Sequence, residues 1–253
     1  MYKGHRVAVV MPIHNEQRFL ARAISRVPAY VDVLIAVDDG STDESWQVLQ
    51  NIPDKRLIPV RHSTNLGVGA ATKTGYARAA ETDTELIAVM DGDGQMDASD
   101  LPRLLDCALS GVDYVKGNRF LDRQSIRNMP LMRYSGNKAL SWLTHKAVGL
   151  RDRVDAQCGY TVIQSRVLER LDLRDLYDRY GFLNDLLFLV ARTGLTINSV
   201  PVKSVYQGEV SGINPFKVVP IILLRILLNY TRDRIASAMR ARMLTSAPEG
   251  AGD

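Results

Sequence analysis

The first half of this sequence alternates short apolar runs with segments of helical spacing. Runs that are apolar almost throughout are typical of parallel strands covered on both faces. Strands joined by helices indicate a doubly wound arrangement, so the pattern predicts an α/β fold with a mostly parallel sheet and helices on both faces. The predicted strands are residues 6–11, 31–37, 57–60 and 85–90, and the predicted helices are 16–26, 43–50 and 70–80, the second opened by a capping box at 41–44.

The second half of the chain is less regular. It has strand-like patterns at 115–117, 160–163 and 196–202 and helical patterns at 131–148 and 183–193. Residues 215–244 combine an apolar run with several arginines. They are predicted to form one or two amphipathic helices at a membrane surface, with packing on the domain, on a second copy or on a membrane protein as alternatives. Pro220 is expected to break or start a helix. The last residues, 245–253, are expected to be a disordered tail.

The composition excludes several classes of protein. The chain has 253 residues, of which 46% are hydrophobic and 24% are charged, as in an ordinary globular protein. Two cysteines are too few for a disulfide scaffold. No apolar signal segment opens the sequence, and it has no run of about 18 apolar residues. We therefore expect a reduced protein on the cytoplasmic side, peripheral to the membrane.

The charge is distributed unevenly along the chain. Residues 1–110 hold 15 acidic and 11 basic side chains, whereas residues 111–253 hold 13 acidic and 21 basic ones. Residues 116–153 contain nine Lys and Arg side chains and only two acidic ones. This asymmetry indicates an anionic partner for the second half, and a solvated basic face is the alternative. A nucleic-acid partner is not expected, because the basic residues are not accompanied by a recognition motif.

The segment after the fourth predicted strand carries the strongest chemical signal. Asp91, Asp93, Gln95 and Asp97 follow one another there, with glycines that allow sharp turns. Carboxylates this close repel each other unless a cation neutralises them, and oxygen ligands favour Mg²⁺ or Mn²⁺ over zinc. The alternative is a turn in which Asp97 or Ser99 caps the next helix.

Two further polar motifs follow the first and second predicted strands, at residues 12–16 and 38–41. Ligands of such sheets bind beyond the carboxyl ends of the strands, so both motifs should share an edge with the acidic segment. An aspartate there can accept hydrogen bonds from a ribose or a base, and plain helix capping is the alternative. The chain has no phosphate-binding P-loop, no dinucleotide fingerprint and no clustered histidines.

Taken together and in this order, the motifs resemble those of family 2 glycosyltransferases of the GT-A fold. The closest similarity is to the polyprenyl-phosphate branch, typified by dolichyl-phosphate mannose synthase. The matching motifs are P-x-x-N-E at 12–16, D-D-G-S at 38–41, N-x-G-x-G-x-A at 65–71, D-x-D-x-Q at 91–95, G-N-R-F at 117–120 and D-x-x-C-G-Y at 155–160.

The resemblance implies an inverting, metal-dependent transfer of a hexose from a nucleotide sugar (GDP-mannose or a UDP-hexose) to a polyprenyl phosphate. It divides a catalytic domain, 1–214, into a nucleotide and metal half, 1–115, and an acceptor half, 116–214. The implied residues are Pro12, Asn15, Glu16, Asp38 and Asp91 for the nucleotide sugar, Asp91, Asp93 and Gln95 for Mn²⁺ or Mg²⁺, and Arg119 and Arg133 for the acceptor phosphate. Asp93 and Arg119 are the implied catalytic residues.

The sequence departs from the family pattern at two places. Asp185 is the single carboxylate at a helix start where many relatives have two, and the lysine expected after Tyr206 is absent from the matched position. If the acceptor were a hydroxyl of a glycan or lipid, Asp185 would be the candidate general base. A non-catalytic subunit docked on a membrane is a third hypothesis, which the intact D-x-D-x-Q motif disfavours.

Several other residues have a simple packing interpretation. Trp46, Trp142, Met90 and Met132 are expected in the core or at its edge. Cys158 is expected to be a small buried residue rather than a nucleophile.

Overall fold

The computed structural model describes residues 1–150, 153–205 and 215–245, with side chains in the last segment described from 216 to 235. Within these ranges the strands form one seven-stranded sheet. The strands are β1 (Val7–Ile13), β2 (Val33–Asp38), β3 (Leu57–Arg61), β4 (Leu86–Val89), β5 (Tyr114–Asn118), β6 (Thr161–Gln164) and β7 (Ile197–Pro201). Their order in the sheet is β3-β2-β1-β4-β6-β5-β7.

The sheet is mostly parallel, as the sequence predicts. β1 pairs in parallel with β2 and β4, β2 with β3, and β5 with β7. β6 is the exception, since it runs antiparallel to both of its neighbours, β4 and β5. Alternate residues of β1 enter two different apolar clusters, Val9 in one and Val10 in the other. Both faces of the sheet are therefore covered, which explains why β1, β2 and β4 are apolar almost throughout.

Helices connect and cover the strands. They are α1 (Leu20–Ser25), α2 (Ser45–Gln50), α3 (Val68–Ala80), α4 (Leu101–Leu109), α5 (Arg123–Asn128), α6 (Leu131–Val148), α7 (Ser165–Leu168), α8 (Phe182–Arg192) and α9 (Pro215–Thr245). α6 has the predicted bounds. The predicted capping box of α2 is wrong, because the helix begins two residues later and its N-cap residue, Glu44, makes no side-chain capping bond. Asp43 instead accepts a hydrogen bond from the backbone N–H of Ser45, at 2.9 Å.

α9 is one continuous helix, and the prediction that Pro220 breaks or starts a helix is wrong. Pro220 lies in the second turn, so its missing N–H removes one hydrogen bond close to the helix start. Packing further along the helix compensates for this loss, because Ile222 and Ile226 are buried against Leu140 of α6 and Phe188 of α8.

Within the part of the chain that the structure describes, no helix has the length and apolarity needed to cross a bilayer. The predicted tail after Thr245 lies outside the described residues.

α6 and α9 also present large apolar side chains to solvent. Leu224, Leu227 and Leu228 of α9 are about half exposed. On α6, Met132 is 77% exposed and Trp142 is 56% exposed. The prediction that Met132 and Trp142 lie in the core or at its edge is therefore wrong, whereas Met90 is buried as predicted. Helical spacing shows that a helix has an apolar face but not whether protein covers that face.

Candidate functional site

The three strand-end motifs meet at one edge of the sheet. Ile13 at the end of β1 lies opposite Asp38 at the end of β2. The backbone N–H of Gly92, just after β4, donates to the carbonyl of Pro12 at 3.2 Å. The parallel pairing of β1 with β2 and β4 thus places the residues after all three strands side by side, as the sequence predicts. Pro12 itself is buried, so it shapes this edge through its backbone.

Asp91 and Asp93 form the acidic centre of the edge. Asp91 is partly buried, and this burial, together with the nearby carboxylates of Asp93 and Glu16, raises its pKa to about 7, while Arg119 acts in the opposite direction. A Cβ atom built on Gly159 would lie 3.2 Å from the Asp91 carboxylate, so the glycine leaves room for this side chain. Carboxylates held this close, with a proton favoured on one of them, indicate a place where a cation would be stabilised.

The rest of the acidic segment is a turn. The Asp93 carboxylate accepts a hydrogen bond from the backbone N–H of Gln95 at 2.9 Å. Asp97 caps the following turn by accepting from the N–H of Ser99, also at 2.9 Å, so it serves the capping role of the alternative interpretation. Over the described ranges, no three His, Cys, Asp or Glu side chains form a closed metal-binding cluster. Two carboxylates supply fewer oxygens than Mg²⁺ or Mn²⁺ coordinates, so a cation held by Asp91 and Asp93 would need further oxygen ligands.

Asn15 and Glu16 lie in the loop after β1. Asn15 adopts a left-handed backbone conformation with φ +58°, which asparagine tolerates better than most residues. Its side-chain oxygen accepts from the N–H of Thr42 at 2.8 Å, and its own N–H donates to Ser41 Oγ at 3.0 Å. In this structure Asn15 thus ties the loops after β1 and β2 together, and the carboxylate of Glu16 acts electrostatically on Asp91.

Asp38 is fully buried at the end of β2. One carboxylate oxygen accepts from the N–H of Ser41 at 3.1 Å, and the other lies 3.0 Å from Nε of Arg61. The Arg61 guanidinium also stacks over the Trp46 ring, 5.2 Å from its centre. The sequence analysis did not identify Arg61, although its position at the carboxyl end of β3 could have indicated it.

Asp39 connects the loop after β2 to the glycine-rich loop at 65–69. Its carboxylate accepts from the N–H groups of Leu66 and Gly67, at 3.0 and 2.7 Å, and lies 2.7 Å from Nδ1 of His62. His62 also contacts Thr74 of α3. Because both Asp39 and His62 are almost inaccessible to solvent, this network makes the edge rigid. His62 was not predicted, since nothing in its sequence neighbourhood marks it.

The segment 177–181, which precedes α8, covers the glycine-rich loop. A Cβ atom on Gly67 would lie 2.4 Å from the carbonyl oxygen of Asp178, and Gly67 also has a φ of +113°. The N–H of Ala70 donates to that same carbonyl at 2.9 Å. Arg179 donates to the carbonyl of Asn65, also at 2.9 Å. Glycine is required at 67 because the two backbones touch there.

Tyr180 of this segment belongs to the site and was missed by the sequence analysis. Burial raises its pKa, the carboxylates of Asp91, Glu16 and Asp93 raise it further, and Arg133 lowers it. The Tyr180 side chain is therefore within electrostatic range of the acidic centre and of an arginine on α6. The sequence offered no signal for it, because the electrostatic interaction with Asp91 joins residues about ninety positions apart.

Arg119 follows β5 and forms a paired ion contact with Asp155. Its Nε and one terminal nitrogen donate to the two Asp155 oxygens at 2.6 and 3.0 Å. Asp155 is fully buried and Arg119 nearly so, and the Arg119 charge lowers the pKa of Asp91. The D-x-x-C-G-Y motif thus orients the motif-matched arginine towards the acidic centre. Cys158 of that motif is buried, as predicted, and burial raises the pKa of its thiol to about 11.

Asp185, in the first turn of α8, is held by another helix. It is 2% exposed, and its carboxylate is paired with the guanidinium of Arg225, whose Nε lies 3.0 Å from Oδ2. Asn229 donates to the other oxygen at 2.7 Å, and the N–H of Tyr177 donates to Oδ2 at 3.0 Å. Several donors therefore already surround the candidate general base of the hydroxyl hypothesis.

The comparison with known proteins agrees with this architecture. The model of the family described as glycosyl transferase family 2 matches residues 8–171, and the chain belongs to this family. It is a glycosyltransferase with a GT-A fold.

Among curated relatives, the chain is 29% identical over 247 residues to an undecaprenyl-phosphate mannosyltransferase of Micrococcus luteus, covering 94% of this chain and 99% of that protein. It is 26% identical over 216 residues to a UDP-N-acetylglucosamine–dolichyl-phosphate N-acetylglucosaminyltransferase of Methanococcus voltae, covering 79% and 86%. In fold it is similar to glucosyl-3-phosphoglycerate synthase of Mycobacterium tuberculosis, solved with Mn²⁺, UDP and its product. That match has a TM-score of 0.64 at 19% identity and covers 91% of this chain and 80% of the other.

Proposed function

We propose that this protein transfers a hexose from a nucleotide sugar to a polyprenyl phosphate, with inversion at the anomeric carbon. One observation carries the proposal: the Asp91 carboxylate lies within electrostatic range of the carboxylates of Asp93 and Glu16 on one side and of Arg119 on the other. The acidic side suits a cation and the diphosphate that it would bind, and the arginine suits a second anion. The names of the M. luteus and M. voltae relatives, both of which specify a lipid phosphate, support this acceptor class.

The donor would bind along the edge formed by the loops after β1, β2 and β4. Arg61 and the ring of Trp46 lie together near the end of β2 and offer planar groups to a nucleoside, whereas the fully buried Asp38 would hold Arg61 in place rather than reach the nucleotide. Asp91, Asp93 and Gln95 would hold Mn²⁺ or Mg²⁺. When bound, such a cation stabilises the negative charge of the departing nucleoside diphosphate.

The acceptor would be held by Arg119 and Arg133. A phosphate monoester is already a nucleophile at neutral pH, so the enzyme needs no strong general base and acts by positioning and charge. Arg119 is pre-oriented by the buried Asp155, which removes most of the entropic cost of placing its guanidinium. The hydroxyl-acceptor hypothesis is weakened because Arg225, Asn229 and Tyr177 surround its candidate base, Asp185.

The exposed apolar side chains of α9 would lie against a membrane at its cytoplasmic face, where a polyprenyl phosphate presents its head group. Leu224, Leu227 and Leu228 form an apolar surface, and Lys217, Arg232 and Arg234 on the same helix supply positive charge for anionic lipids.

A product assay tests the proposal. Purified protein is incubated with a polyprenyl phosphate in detergent, MnCl₂ or MgCl₂, and each of a panel of nucleotide sugars, and lipids are analysed by mass spectrometry. We expect a lipid-phosphate hexose from one donor, absent when EDTA is added. No product from any donor, alongside nucleotide binding that requires metal, would contradict the lipid-phosphate acceptor.

A further inference from the structure

α9 contacts both the first turn of α8 and the segment that precedes it. Arg225 of α9 makes two contacts with the polypeptide that enters α8 and lies close to a third residue of it. Its guanidinium pairs with Asp185 and stacks over the Tyr177 ring, 5.4 Å from the ring centre. Its Cγ atom lies 3.6 Å from the position that a Cβ atom on Gly181 would occupy. One side chain thus contacts Tyr177 at the start of the segment 177–181 and lies beside Gly181 at its end.

That segment is attached on its other side to the glycine-rich loop at 65–69 and to α3, and Asp39 ties this loop to the proposed donor edge. Lys73 of α3 pairs with Asp178 at 2.6 Å, and the Asp178 carbonyl accepts from the N–H of Ala70. Arg179 donates to the side-chain and backbone oxygens of Asn65. Because a Cβ atom on Gly69 would lie 2.4 Å from the Tyr177 carbonyl oxygen, the two backbones cannot move independently.

We propose that Arg225 and Asp185 are positioning residues through which α9 holds the segment 177–181 against the glycine-rich loop at 65–69 and so sets the affinity for the nucleotide. This inference rests on the proposed function, since it takes the sheet edge to which Asp39 ties the glycine-rich loop as the donor site. Asp185 then acts through Tyr177 and Arg225 rather than on a reacting atom. The helix that exposes apolar side chains is consequently coupled to the donor side of the enzyme.

The Arg225–Asp185 ion pair matters for stability because Asp185 is buried. Asp185 is almost fully buried, so losing its partner would leave a buried charge without compensation, and the variant would lose stability. The test therefore uses Arg225→Lys, which keeps the positive charge but cannot make the paired planar contact. The double variant Arg225→Gln/Asp185→Asn, which removes both charges and keeps hydrogen-bonding groups, is the second probe.

The chain offers a matched control in the pair Arg192–Asp233. It joins the same two helices at 3.3 Å, with both side chains partly exposed. Arg192 lies seven residues beyond Asp185, about 10 Å along α8, and so is remote from the segment 177–181. Asp233→Asn breaks this helix contact without touching the proposed coupling.

Two measurements are made on the full-length variants. Amide hydrogen exchange is followed at Tyr177, Ala70 and Gly67, and the dissociation constants of UDP and GDP are measured with MnCl₂. With Arg225→Lys and with the double variant, we expect exchange at these amides to rise about tenfold and nucleotide affinity to fall about tenfold, while the melting temperature stays close to that of the wild type. With Asp233→Asn we expect neither change.

The outcomes are separable. Unchanged exchange in both Arg225 variants would overturn the positioning role. Raised exchange with unchanged nucleotide affinity would overturn the link to the donor edge. Wild-type protein that bound neither UDP nor GDP would overturn the assignment of the donor site itself, and this inference with it, whatever the exchange data showed.

Discussion

The two sides of this enzyme are built in different ways. On the donor side, buried groups such as Asp38 and Asp39 hold backbone N–H groups of neighbouring loops, so the loops are fixed before any ligand arrives. On the acceptor side, α6 and α9 share a small buried cluster and expose much of their apolar surface. The difference is what the proposed function predicts, in which the protein preorganises the donor side and a membrane covers the apolar surface of the acceptor side.

The largest expected effect is on the donor side, at Asp93. Asp93→Asn removes a charge from the proposed cation site but keeps the size and the hydrogen-bond acceptor of the side chain, so we expect the fold to persist. Metal-dependent turnover should fall by about 10²-fold or more, as for other preorganised charge-stabilising groups. Asp83→Asn, at an exposed carboxylate, is the control. Near-normal turnover of Asp93→Asn would remove the metal assignment.

The next effect concerns the arginine that faces the acidic centre. Arg119→Ala leaves buried Asp155 without its partner, so we expect a loss of roughly 3–5 kcal/mol of stability. Arg119→Lys retains the charge and should fold, while raising KM for the lipid phosphate by about tenfold with little change in KM for the donor. Steady-state kinetics with each substrate varied in turn measures this. A rise confined to the donor KM would exclude Arg119 from the acceptor site.

On the acceptor side, the exposed leucines should govern membrane binding. Leu227→Gln should weaken binding to anionic vesicles by about tenfold, since each buried leucine contributes roughly 1.5–3 kcal/mol, and should leave the melting temperature unchanged. Ile226→Ala, at the neighbouring buried position, should lower the melting temperature instead. Vesicle co-sedimentation and thermal unfolding measure the two effects. If Leu227→Gln bound vesicles as the wild type does, the apolar face of α9 would have another partner.

The smallest expected effect is a pH dependence of cation binding on the donor side. The pKa of Asp91 is raised to about 7, so without a cation the folded protein binds this proton more tightly than the unfolded chain does. The stability that this proton contributes is present at low pH and is lost as the pH rises through about 7. A bound cation must displace the proton, so Mn²⁺ affinity should rise up to about tenfold between pH 6 and pH 8. Calorimetric titration at both pH values measures it, and equal affinities would contradict the raised pKa.

The sequence predicts the donor side of the fold better than the contacts that complete the site. The strand ends that carry Asp38 and Asp91 are predictable because parallel strands with buried faces have a recognisable pattern and a known ligand edge. The position of Tyr180 and the Arg225–Asp185 pair cannot be predicted in this way. They bring together distant segments of the chain, and the approach of these segments depends on how α8 and α9 pack. The prediction of Met132 and Trp142 in the core or at its edge is wrong because residue type alone does not show whether protein covers a side chain.

The central claim is that the acceptor is a phosphate, and a competition between two lipids tests it most directly. The protein is given one donor, MnCl₂ and equal amounts of a polyprenyl phosphate and the polyprenol of the same chain length, and the glycosylated lipids are separated by mass. We predict product on the phosphate alone, with Asp185→Asn retaining this acceptor preference. Product on the free polyprenol, lost in Asp185→Asn while product on the phosphate is retained, would contradict the claim and make Asp185 a general base.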